Sequence, residues 1–108
     1  MDMIFDLLDL MPEFREFELL LARLQFWTDE DGRVLADTLS GCVRDYAAGA
    51  LDRAAIDELV VQARPVVDEW LASRPLVGRD RIKRLADELF AFITGELAQA
   101  VERRARAA

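Results

Sequence analysis

Residues 51–71, LDRAAIDELVVQARPVVDEWL, decide the fold class. Ile56, Leu59, Val60, Ala63, Val66, Val67, Trp70 and Leu71 recur at steps of three and one, the signature of one buried helix face. Asp52 stands where a side-chain oxygen can satisfy the first free backbone donors. Leu51 and Ile56 occupy the two positions of a hydrophobic staple. Pro65 falls inside the pattern, so a kink is expected near residues 61–65. Ser73-Arg74-Pro75 ends the run.

The same helical period extends outward from this stretch in both directions. Downstream, Asp80 is the expected cap of a last helix. Its buried face is Ile82, Leu85, Ala86, Leu89, Phe92, Ile93, Leu97, Ala100 and Val101, with Phe90 at the margin and a frayed basic end over 103–108. Glu96 falls on that same face. Upstream, Gly49 marks a left-handed stop, and a helix from near Thr28 to Ala48 carries Leu35, Leu39, Cys42 and Tyr46, widened by Val34, Val43 and Ala47. Gly41 and Gly95 are expected to let another helix approach closely. Pro12 opens a further helix to about Trp27, with Phe14, Phe17, Leu21 and Leu24 as its seam. Residues 2–10 read as a short helix of their own, although the apolar stripe 3, 7, 10, 14, 17, 21, 24 also fits one kinked helix over 2–27. No segment alternates with period two. The expected fold is all-α: one domain over 1–108, a compact bundle of four main helices plus a short N-terminal one.

Composition narrows the chemistry. The chain of 108 residues contains no His and no Asn, and Cys42 is its one cysteine. Nucleophile systems that need a histidine base, His-ligated zinc and disulfide frameworks are therefore excluded. Fourteen basic against 21 acidic residues give a net charge of −7, with nine acids and two bases in residues 1–31 and five acids against seven bases in 79–108. That balance argues against nucleic acid and against an anionic membrane surface as direct partners. The acidic opening and the unpaired cysteine lead to the expectation of a cytoplasmic protein. Counting Gly as apolar in place of Tyr, about 56% of the chain is apolar against roughly 45–50% in soluble domains, which hints at apolar surface beyond one small core.

The candidate motifs are few. Asp29-Glu30-Asp31-Gly32 resembles part of a calcium loop, but aligning Gly32 places Trp27 and Thr38 at its two ends, where carboxylates are needed. Arg79, Arg81, Lys83 and Arg84 lack the glycine-rich loop of a phosphate cradle and are expected to pair with the acidic first third, within the chain or across a dimer. The paired carboxylates Asp57-Glu58, Asp68-Glu69 and Asp87-Glu88 straddle core boundaries and suggest no acid–base site.

The sequence thus predicts a non-catalytic interaction or regulatory module without cofactor or metal. The expected partner surface is acidic: Glu13, Glu16, Glu18, Asp29, Glu30 and Asp31. A homodimer seam is expected along Met3, Leu7, Leu10, Phe14, Phe17 and Leu21, because a helix as short as 2–10 must dock on something. The alternatives are an inhibitor or immunity-type protein that blocks a basic nucleic-acid-handling partner, and a bundle with a small-molecule cavity between its helices.

Overall fold

A computed structural model describes residues 11–24 and 30–107. Helix α1 (Pro12–Arg23), α2 (Glu30–Ala47) and α3 (Arg53–Ala72) precede α4 (Arg79–Phe92), which passes through a π-helical turn (Ile93–Leu97) into α5 (Ala98–Ala107). The described residues contain no strand, and the fold is an all-α bundle. The expected helix over 2–10 and the Thr28 cap lie outside the described residues.

Local signals set most boundaries. Met11 is extended (φ −78°, ψ 119°) and Pro12 opens α1, so the helical path is broken between Met11 and α1. Gly49 ends α2 with φ +84°, and the amide of Ala50 donates to the Asp45 carbonyl at 2.8 Å. Asp52 caps α3 by accepting from the Ala55 amide at 2.9 Å. Helix α3 contains Pro65 in its interior, as the sequence pattern implies. Two expectations differ from what is found. Residue Gly78, at φ +82°, precedes α4 as its cap, while Asp80 sits in the first turn without a capping hydrogen bond. Nothing lies within 4 Å of where a Cβ on Gly41 or Gly95 would sit, so neither marks a close crossing. Helix α5 continues through the basic end to Ala107.

The rod α4–π–α5 is the spine. At 1.5 Å per residue it is about 43 Å long, close to the 47 Å long axis of the molecule. Helix α1 packs against α4 and the π turn, α3 against the same two elements, and α2 mainly on α3. Phe14, Phe17, Leu39, Ile56, Leu89, Phe90, Ile93 and Leu97 form the most deeply buried core.

The π turn explains the fate of Glu96. Each π turn inserts one extra residue and rotates the downstream residues by one position. With this turn in the rod, Leu97 and Ala98 face inward and Glu96 faces solvent, while Phe90, upstream of the turn, is fully buried. Such a turn leaves backbone carbonyls without their usual partners, and side chains supply donors here. Thr94 Oγ1 donates to the Phe90 carbonyl at 3.0 Å, the Arg53 guanidinium to the Thr94 carbonyl, and the Tyr46 hydroxyl to the Ala98 carbonyl at 3.4 Å.

Candidate functional site

Five of the six residues of the predicted acidic face are described. Glu13 is half-buried and pairs with Arg103 at 3.8 Å, tying α1 to α5. Glu16 is exposed and lines a hollow along α1 together with Arg15, Arg23 and Glu88. Glu18 and Glu30 are exposed elsewhere, Asp31 faces a different depression, and Asp29 lies outside the described residues. Of the predicted seam, Phe14, Phe17 and Leu21 are buried in the chain's own core, whereas Met3, Leu7 and Leu10 lie outside the described residues. Of the expected pairing between the basic cluster and the acidic third, none is formed among the described residues. Arg79 turns back to donate to the carbonyls of Ala72 and Arg74 at the end of α3. Arg81, Lys83 and Arg84 are exposed and form no ion pair among the described residues.

A groove between α2 and α3 is the better-formed site. Tyr46 and Arg53 meet where the two helices are joined, and the first half of α2 faces the second half of α3, so the pair is antiparallel. The C-terminal half of α2 is held to the rest of the bundle. Tyr46 reaches Ala98, and the Arg44 guanidinium lies over the Phe14 ring at 4.7 Å. The N-terminal half of α2 leaves a depression of about 640 Å³ against α3. Leu35, Leu39, Leu59, Ala63 and Trp70 form its floor, and Val34 and Val66 form its lips at 61% and 49% exposure.

The polar groups around this groove divide into two kinds. Thr38 Oγ1 donates to the Val34 carbonyl at 2.8 Å, Gln62 Nε2 to Glu58 at 2.9 Å, and Ser73 Oγ to the Trp70 carbonyl at 2.6 Å, so these donors are engaged within their own helices. Asp31 and Glu69 are exposed and form no ion pair among the described residues. No cation lines the groove, although the Arg74 guanidinium, beside the lining residue Ser73, lies over the Trp70 ring at 4.3 Å. The site is therefore apolar with two carboxylates at one end.

Elsewhere, Arg53 is the most connected charge. It pairs with Asp57 at 3.1 Å and Glu102 at 3.0 Å, and the hydrogen bond to Asp57 is the main reason its pKa lies above the ordinary value. Burial pushes the Tyr46 phenol above its usual pKa, and the charge of Glu102 adds to that. Among the described residues no three metal-binding side chains converge, and no helix is long and apolar enough to cross a membrane.

Comparison of the chain with protein families, curated proteins and solved structures returns no match, so function is argued from this surface. Sequence reading placed Val34 and Val66 on buried stripes together with Leu59 and Trp70; Trp70 is buried and Leu59 packs against the core, whereas Val34 and Val66 are exposed. The signal that could have shown otherwise was the width of the α3 stripe, too broad for the neighbours one small bundle supplies.

Proposed function

We propose that this chain is a non-catalytic protein–protein interaction module whose recognition surface is the α2–α3 groove. The observation that carries this is the uncovered apolar lip of Val34 and Val66 over a floor of buried aliphatic side chains. Aliphatic side chains grouped around a concavity are what a partner's anchor residues fill. The other exposed large apolar side chains, Leu19, Val61, Leu76 and Val77, do not line this groove.

A blocking role toward a basic partner uses the same surface and draws support from Asp31 and Glu69, which lack a neutralising cation among the groove residues. A small-molecule site draws less, because the hydroxyl and amide donors of the lining are already engaged. A homodimer along the N-terminal stripe also draws less, since Phe14, Phe17 and Leu21 are buried within their own chain. The lone Cys42 and the charge balance fit a cytoplasmic setting.

Pull-down from the native host with the wild type, Val34→Asp, Val66→Asp and Val61→Asp tests the reading. All three sites are largely exposed, so the variants should fold. Loss of the captured protein with the first two and retention with the third is the expected result. Equal capture by all four would place recognition elsewhere.

A further inference from the structure

We infer that the occupant of the α2–α3 groove is an amphipathic helix of a partner protein that carries lysine or arginine beside its apolar seam, grouped at one end. This inference rests on the groove being the recognition surface.

Three features of the groove select that occupant. Both walls are helices whose interior backbone donors and acceptors are satisfied within them, so the groove offers no edge to which a strand could add. A bound segment must satisfy its own backbone, as a helix does. The wall from Leu59 to Ser73 is about 21 Å long at 1.5 Å per residue, which matches roughly four turns of a ligand helix. Its floor is aliphatic apart from Trp70, and the polar side chains Thr38, Gln62 and Ser73 already donate within their own helices. A ligand side chain therefore finds apolar surface along the length; the charged lining residues are Asp31 and Glu69, with the Arg74 guanidinium held over the Trp70 ring.

The carboxylates also set a direction. Asp31 opens α2 and Glu69 lies near the end of α3, and antiparallel packing places both at the same end. Asp31 and Glu69 are the charged residues that line the groove, so cations on the ligand belong at that end. An acidic occupant, such as a segment of a second copy with Asp2, Asp6 and Asp9, would meet like charge.

The test uses the full chain with Trp27→Phe, so that Trp70 is the only indole, and two synthetic 18-residue amphipathic peptides. One has a leucine seam with lysines at one end; the other has glutamates in their place. The lysine peptide should shift Trp70 fluorescence saturably, and the glutamate peptide should not. Asp31→Asn/Glu69→Gln should weaken the lysine peptide at least tenfold. Val66→Asp should weaken it at least tenfold as well, although it adds a negative charge, and circular dichroism checks that each variant is folded. Binding of the lysine peptide that is unchanged or tighter in Val66→Asp would show diffuse charge attraction and overturn the inference. So would equal binding of both peptides, no binding of either, or no effect of the Asp31/Glu69 substitution. If the peptide fails while Val34→Asp still loses the native partner, the helical occupant is refuted and the groove stands as the recognition surface.

Discussion

Replacing Arg53 by Ala should destabilise the protein by about 2 kcal/mol, more than any single one of its partners is worth. The Arg53–Asp57 pair is an exposed i,i+4 pair, about 0.3–0.5 kcal/mol. The Glu102 pair joins side chains 38% and 43% exposed, so screening limits it to at most about 1 kcal/mol. The bond to the Thr94 carbonyl is charge-assisted, worth about 1.5–3 kcal/mol when well buried and about 1 kcal/mol for a half-exposed guanidinium. This third contribution matters most to the fold, because the Thr94 carbonyl belongs to the π turn that sets the register of α5. Asp57→Asn removes only the first contribution and should cost about 0.5 kcal/mol. Urea unfolding followed by circular dichroism at 222 nm measures both, and the Arg53→Ala loss should appear as a Tm lower by roughly 10 °C. An Arg53→Ala protein no less stable than Asp57→Asn would show that Arg53 does not hold the π turn.

Phe17 has no exposed surface, so Phe17→Ala should cost about 3–5 kcal/mol in the same assay, whereas Val66→Asp should change stability little; comparable losses would mean that Val66 is core. Tyr46 has a folded-state pKa above its ordinary value near 10. Its contribution is therefore fully present below about pH 10 and is lost as pH rises through the folded-state pKa. In Tyr46→Phe that part of the alkaline loss should be missing, so it should appear as the alkaline slope of the difference between wild type and variant; an alkaline slope in the variant equal to that of wild type would contradict the assignment.

What the sequence made legible was local. The break before Pro12, the Gly49 stop and the Asp52 cap each depend on a few neighbouring residues, and each appears in the structure. Register across distance was not legible. At the π turn Thr94, Arg53 and Tyr46 supply donors to carbonyls from three elements, and no window around Glu96 contains Arg53 or Tyr46. Gly78 displaced Asp80 as the cap because the turn after α3 needs a left-handed residue, a demand set by how α3 ends. Nearness in sequence put six acids together, but the fold sends Glu13 to Arg103 and Asp31 to a different surface. The groove was half visible: periodicity fixes which arc of α2 and α3 is apolar but not which part of that arc another helix covers.

The most direct measurement of the central claim is a map of amide-proton and indole-proton shifts in the isotopically labelled full chain on adding the partner captured from the native host. The groove reading predicts the largest changes at Val34, Thr38, Gln62, Val66 and the Trp70 indole, with Leu19, Leu76 and Val77 unmoved. Changes confined to Leu76–Val77 or to Glu16–Leu19, with the groove silent, would contradict it.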